Sequence, residues 1–294
     1  MKLFIAGGTG FVGGHLVREL LHRGHELLLL SHGRSGMRQP GVSLVTGDVT
    51  DPSGYAAAMQ GCDAVINLVG IIREFPSRGI TFERLHVQAT AAMLQAARQA
   101  GVSRYLQMSA LGTRPDAVSH YHQTKWRAEE QVRSGGLAWT IFRPSLIFGP
   151  KDAFVNMLAA NLRLSPVMPT FGDGTYRLQP VHGSDVARCF AAALEMPETI
   201  GQTYELCGAD RFSYRELLDT IAAALGKGNP WKPALPLGLM RPMINALQGI
   251  SAFPITSDQL QMLLEENICD GCWRSTFTFE PIRFHEGIRE YLHP

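Results

Sequence analysis

Ser109, Tyr121 and Lys125 have the types and spacing for proton transfer to a carbonyl or alcohol oxygen. Tyr121 and Lys125 stand four apart, so a helix over this stretch carries both on one face. A lysine ammonium near a phenol lowers the phenol's pKa and prepares it as a general acid or base. Ser109 closes the apolar run Tyr105-Leu106-Gln107-Met108-Ser109, which reads as a strand. Its end lies at the carboxyl edge, where open α/β sheets bind ligands.

Tyr-x-x-x-Lys alone is a weak pattern; a second motif strengthens it. Residues 1–6 form a short apolar run that leads into Gly7-Gly8-Thr9-Gly10-Phe11-Val12-Gly13-Gly14 and then an amphipathic helix, 15–22. Strand, tight turn and helix make a glycine pattern a dinucleotide site. Gly7 or Gly8 permits the turn, Gly10 admits a pyrophosphate and Gly13 allows close helix–strand packing. The helix N-terminus offers N–H groups and partial positive charge to the phosphates.

The end of the second strand sorts nicotinamide cofactors, because an acid there binds ribose hydroxyls and repels a 2′-phosphate. Here stand Ser31-His32-Gly33-Arg34, with no carboxylate. Ser31 and Arg34, with His32, suit the phosphate of NADP(H), Arg34 through a charge-assisted fork, so NADP(H) is favoured over NAD(H). Asp48, after the third strand and before Val49, is placed to accept from an adenine amino group. The Leu68-Val69-Gly70 turn is small enough to lie against the adenosine.

The elements that position these residues follow from periodicity. Strands are expected at 26–30, 42–45, 64–69, 105–109 and 139–142, and helices at 51–60, 82–99 and 121–132. Buried strands alternating with helices imply a doubly wound parallel α/β sheet, a Rossmann fold. That domain is expected over residues 1–150, with elements returning from about 176–206. A smaller C-terminal α/β substrate or partner region fills 151–294, with helices at 154–162, 184–195, 214–225 and 257–266.

Composition limits the alternatives. At 294 residues, 45% hydrophobic and net charge +1, the chain has ample core and no bulk attraction for nucleic acid. Five scattered cysteines do not outline a disulfide framework and point to a reducing cytosol. Cys269-Asp270-Gly271-Cys272 lacks a second ligand pair, so no metal is expected. No leader or membrane span is read from the N-terminus. The apolar segment 236–255, broken by Pro242, Gly249 and Pro254, reads as ordinary packing, with a lid, a partner surface or a membrane-surface contact as alternatives. His182 reads as a hydrogen-bonded structural residue, and Trp126 and Trp139 as core. Lys151 and Asp152 border a pocket or cap the next helix.

Together these motifs resemble the extended or atypical short-chain dehydrogenase/reductases, the NAD-dependent epimerase/dehydratase-like group. The resemblance rests on Gly7-x-x-Gly10-x-x-Gly13, Gly47-Asp48-Val49, the Ser109/Tyr121/Lys125 set, residues 143–150 and Gln179-Pro180-Val181-His182 before Asp185. Ser109-Ala110-Leu111-Gly112, residues 148–154 and 256–260 are similar to the branch of the nucleotide-binding accessory subunit of respiratory complex I and its bacterial relatives.

The resemblance implies that Tyr121 exchanges a proton with substrate, Lys125 holds the nicotinamide ribose and Ser109 hydrogen-bonds the reacting oxygen. Pro144 and Ser145 would lie near the nicotinamide. Two departures speak against an ordinary sugar-nucleotide epimerase: Ser109 and Tyr121 are only twelve positions apart, and His86 stands where that group usually has Asn. The leading expectation is an NADP(H)-dependent oxidoreductase acting on a small, apolar carbonyl or quinone-like substrate. The rival is a non-catalytic NADPH-binding accessory or assembly protein of a respiratory or quinone-pathway complex, docking through its C-terminal region. A sugar-nucleotide epimerase or dehydratase comes third. The expected location is cytoplasmic, with a contact at the inner membrane left open, and the chain is read as monomer or dimer.

Overall fold

The computed structural model describes residues 1–33, 39–248 and 255–293. The first elements are β1 (Lys2–Ala6), α1 (Phe11–His22), β2 (Glu26–Ser31), β3 (Val42–Thr46), β4 (Ala64–Asn67), α2 (Ala89–Gln99), β5 (Arg104–Met108), α3 (His120–Ser134) and β6 (Ala138–Pro144). They are followed by α4 (Phe154–Leu164), α5 (Gly183–Ala193), β7 (Gln202–Leu206), α6 (Tyr214–Ala224), α7 (Leu237–Leu247), α8 (Ser257–Leu264) and α9 (Phe284–Arg289).

Seven strands form one sheet in the order β7-β6-β5-β4-β1-β2-β3. Every pairing from β3 across to β6 is parallel, with Leu3 opposite both Leu27 and Ala64, and Leu106 opposite Ile66 and Thr140. Leu3 to Ala6 and Ala64 to Asn67 are fully buried, as strands covered by helices on both faces must be. The fold is a doubly wound Rossmann sheet. Strand order reverses at β1, so the crevice beyond the carboxyl ends of β1 and β4 is the switch point where such sheets take ligands.

The chain divides into two compact units, Met1–Pro144 with Ser184–Glu205, and Ser145–Gly183 with Leu206–Pro294. In the first, Phe4, Tyr55, Val65, Met93, Tyr105 and Ile141 share one core. Buried Arg104 donates to the carbonyls of Ala138 and Ala193 at 2.8 Å each and to the hydroxyls of Thr140 and Thr199, tying β5 to β6 and to the end of α5. Burial lowers its pKa to about 10. In the second unit, Phe148, Leu158, Leu217, Ile221, Phe284 and Ile288 pack α4, α6 and α9 together.

Four expectations are corrected. Residues 51–60 form two 3-10 turns, Pro52–Gly54 and Ala56–Met59, rather than a helix, although Asp51 does cap the first by accepting from Ser53 N. The helix expected over 82–99 begins as a π-helical turn, Glu83–Gln88, before α2. The apolar segment after Pro236 contains α7 despite Pro242 within it; residues 249–254, with Gly249 and Pro254, lie outside the described residues. Cys207 and Cys269, 62 positions apart, are disulfide-bonded with Cα atoms 6.0 Å apart, a pairing that sequence spacing does not reveal. Cys272 is free and exposed.

Two smaller readings are refined. Trp126 and Trp139 are half-buried, with the Arg133 guanidinium 4.9 and 5.9 Å from their ring centres. Asp152 caps α4 by accepting from Val155 N at 2.6 Å, while Lys151 before it has φ +72°. No described helix is long and apolar enough to cross a membrane.

Candidate active site

The glycine loop joins β1 to α1. Gly7 takes φ +80°, and its carbonyl accepts from Gly10 N at 3.0 Å, closing the turn. A Cβ on Gly13 would stand 2.4 Å from the Gly7 oxygen, so only glycine lets α1 sit this close to the loop. Gly10 is the N-cap of α1, which has no side-chain cap and no acid in its first turn. Its orphan N–H groups are thus left to an anion, and the cradle fits a dinucleotide pyrophosphate. Thr9 and Gly10 are exposed, Phe11 is half-buried, and Val12 and Gly13 are buried.

At the adenosine side, buried Ser31 donates its hydroxyl to the Gly33 carbonyl at 2.6 Å, which shapes the turn after β2. His32 is exposed; Arg34 lies outside the described residues. Asp48 accepts from the N–H and hydroxyl of Thr50 at 2.9 and 2.8 Å, and from Arg84 at 2.5 Å. The Thr50 N–H, then the Thr50 hydroxyl and the Arg84 charge, hold its carboxyl below the usual range. Its lone pairs are thus largely taken, and the Val49 carbonyl beside it accepts from Tyr55. Sequence reasoning missed Arg84, since no spacing links it to Asp48. Leu68 is buried, and its backbone would lie 3.0 Å from a Cβ on Gly7. Val69 N donates to Asn67 Oδ1, and the Asn67 amide donates to Gln107 and Tyr105, a buried polar layer beneath the turn.

Two of the three residues expected to carry chemistry, Tyr121 and Lys125, lie on α3. Ser119 caps this helix by accepting from His122 N, and Tyr121, Thr124, Lys125, Ala128, Glu129 and Val132 share its buried face. Lys125 is 2% exposed. Its ammonium reaches the Met108 carbonyl at 3.4 Å, at the end of β5 and next to Ser109. A Cβ on Gly70 would come within 2.8 Å of Lys125 Nζ, so bare Gly70 makes room for the ammonium. Ser109 is buried, with its hydroxyl 3.4 Å from that of Thr113.

One expectation is reversed here. The sequence pattern predicts a Tyr121 phenol pKa lowered by Lys125; burial instead raises it. Burial also lowers Lys125 to about 8, with Glu129 opposing the shift. The phenol is therefore held protonated and suited to donate.

His86 completes the group. The π-helical turn aims its ring at Tyr121, edge to face with centres 5.3 Å apart, and stacks it on Phe82. Its Nδ1 lies 2.9 Å from the Thr124 hydroxyl and its Nε2 3.2 Å from the Ile71 carbonyl. Burial, then the Lys125 charge, lowers its pKa to about 2, so the ring is neutral.

Pro144 ends β6 and accepts from Leu111 N at 2.9 Å. Ser145 opens the second unit, where its hydroxyl donates to Gln179 O at 2.6 Å. His182 packs edge-on against Phe148 in that unit. Among the described residues no cluster of three or more His, Cys, Asp or Glu is placed to hold a metal.

The NAD dependent epimerase/dehydratase family profile matches residues 3–207, most of this sheet and its loops. The chain belongs to that family. Within the NAD(P)-binding epimerase/dehydratase group it is 33% identical over 229 residues to the mitochondrial NADH dehydrogenase [ubiquinone] 1 alpha subcomplex subunit 9 of Arabidopsis thaliana, covering 74% of this chain and 56% of that one. The match therefore spans little more than half of that relative's length. It is 32% identical over 225 residues to the ceramide reductase of Caulobacter vibrioides, covering 76% of this chain and 70% of the reductase. In fold it is similar to the dTDP-glucose 4,6-dehydratase DesIV of Streptomyces venezuelae with NAD bound, at TM-score 0.78 and 22% identity, over 99% of this chain and 96% of that one.

Proposed function

We propose that this chain is an NADP(H)-dependent reductase of a small, apolar carbonyl or quinone-like compound. The observation that carries the reading is the buried pair on α3, a protonated Tyr121 phenol and the Lys125 ammonium, at the carboxyl end of the sheet. Bound NADPH supplies hydride. Tyr121 gives its proton to the substrate oxygen, Ser109 donates a hydrogen bond to the same oxygen, and Lys125 stabilises the phenolate that remains while holding the nicotinamide ribose. Gly7, Gly10, Gly13 and the α1 N-terminus bind the pyrophosphate; Asp48, Leu68, Val69 and Gly70 flank the adenosine; Pro144 and Ser145 belong to the nicotinamide end.

The preference for NADP(H) is supported by the lack of a carboxylate after β2, where Ser31 and His32 stand. The apolar substrate class is supported by Ile72 and Val118, 52% and 67% exposed, on the loops that follow β4 and precede α3. The relative named for reducing ceramide, a lipid, points the same way.

A fluorescence titration tests the cofactor, with NADPH expected to bind at least about tenfold more tightly than NADH, a difference of about 1.4 kcal/mol. Equal or reversed affinities overturn the preference. Tyr121→Phe is expected to cut carbonyl reduction by about 10²–10⁴-fold while NADPH affinity stays within twofold of the unchanged chain. Unaltered turnover removes Tyr121 from the mechanism.

A second reading follows from the complex I relatives. The chain would then be an accessory or assembly protein stabilised by bound NADPH. That reading expects NADPH to raise the melting temperature with no NADPH oxidised by any carbonyl or quinone tested.

A further inference from the structure

Two stretches of the second unit contain no acidic residue: 153–172, between Asp152 and Asp173, and 220–257, between Asp219 and Asp258. They carry Arg163, Lys227, Lys232 and Arg241. They make up about a fifth of the chain, yet hold Met157, Leu164, Trp231, Leu239 and Met243, five of the nine large hydrophobic side chains exposed among the described residues. Exposed apolar side chains are therefore concentrated in two stretches whose formally charged side chains are all cationic.

The structure joins the stretches at one place. Trp231 N donates to the Pro166 carbonyl at 2.8 Å and Met168 N donates back to the Trp231 carbonyl at 2.8 Å, which pins Trp231 beside the turn that follows α4. Leu164, at the end of α4, is 87% exposed and Trp231 is 70% exposed. A cleft of about 340 Å³ opens beside Leu164, lined by residues 162–166 and by 227–230, which lead into Trp231. Its two charged side chains are Arg163 and Lys227. Lys227 Nζ donates to the carbonyls of Leu162 and Arg163, leaving one of its three N–H groups, and Arg163 donates to the His293 carbonyl. Lys232 is paired with Asp219, so the net positive charge comes from Arg163, Lys227 and Arg241.

We infer that this corner docks on an anionic phospholipid surface. Trp231 and Leu164 enter the headgroup–acyl boundary, where an indole is stable with one end dry and the other wet. Arg163 and Lys227 meet lipid phosphate, and each such cation strengthens attraction to a negatively charged leaflet. Leu239, Met243 and Arg241 on α7 extend the same apolar and cationic character along the second stretch. The inference does not depend on the chain being a reductase.

The test is co-sedimentation of the full chain with vesicles of phosphatidylcholine alone or mixed with phosphatidylglycerol, at low and high salt. Binding is expected to the mixed vesicles, at least tenfold weaker to phosphatidylcholine and weakened by salt. Trp emission should shift to the blue on binding, and Trp231→Phe should remove most of that shift. The double variant Leu164→Glu with Trp231→Glu should lose at least tenfold in vesicle affinity. Both side chains are solvated, so its melting temperature and NADPH affinity should match those of the unchanged chain. Arg163→Gln with Arg241→Gln should flatten the salt dependence. Absence of binding to either vesicle, equal binding to both, or full binding by the double glutamate variant overturns the proposal.

Discussion

Lys125→Met is expected to abolish carbonyl reduction and, at neutral pH, to make the cofactor-free protein more stable. The ammonium is buried, and among the described residues a 3.4 Å contact to the Met108 carbonyl and the Glu129 charge offset its lost hydration. Its pKa falls from 10.5 to about 8, which corresponds to about 3 kcal/mol of penalty on the charged form. Methionine matches the length of the stem and removes the charge. The unfolded lysine binds its proton up to about pH 10.5, while the folded one releases it near 8. Between these values the unfolded chain holds more protons, so folding stability rises with pH across that window and the penalty is full below it. Thermal melts from pH 7 to 10.5 should show the variant above the unchanged chain at pH 7, with the gap closing as pH rises. A variant less stable than the unchanged chain at pH 7 contradicts this account. On the proposed reductase reading, such a residue is kept for its chemistry, as the stability–activity trade-off describes.

Glu129→Gln is expected to have the opposite effect on stability. Glu129 is fully buried one turn beyond Lys125. It accepts from Arg143 Nε and Nη2 at 2.9 and 2.7 Å and from Arg133 Nη2 at 2.6 Å. An uncharged amide takes the buried carboxylate from both guanidiniums and leaves them only the more exposed Glu130 and Glu205; breaking a fully buried pair from one side costs about 3–5 kcal/mol, so the loss here is expected at or somewhat below that range. Glu130→Gln is the control: Glu130 also pairs with Arg133, but its side chain is 54% exposed, so its loss should cost at most about 1 kcal/mol. Denaturant melts compare the two, and similar midpoints would mean that the buried network adds nothing. Glu129 also supports the charge on Lys125, so its loss should move the Lys125 pKa further down.

Much of the sheet was legible because its signals are local. Apolar runs such as Leu3 to Ala6 and Ala64 to Asn67 need only their own residues to read as buried strands. The glycine loop is legible for the same reason, and Tyr121 and Lys125 share a face by helical period alone. Misreadings came where neighbours outweigh period. α7 keeps its helix around Pro242, and residues 51–60 tighten into 3-10 turns where Tyr55 and Met59 insert into the core.

The sequence by itself determined which residues are the candidates for chemistry here: the glycines, Ser109, Tyr121 and Lys125, each set by type and short spacing. Only the tertiary structure decided what their surroundings do to them. It reversed the direction of the Tyr121 shift, placed a neutral His86 against that ring, joined Arg84 to Asp48 and bonded Cys207 to Cys269. The reason is physical. Burial and long-range pairing are sums over residues far apart in the chain, and the phenol loses its hydration only when the whole shell around α3 is in place.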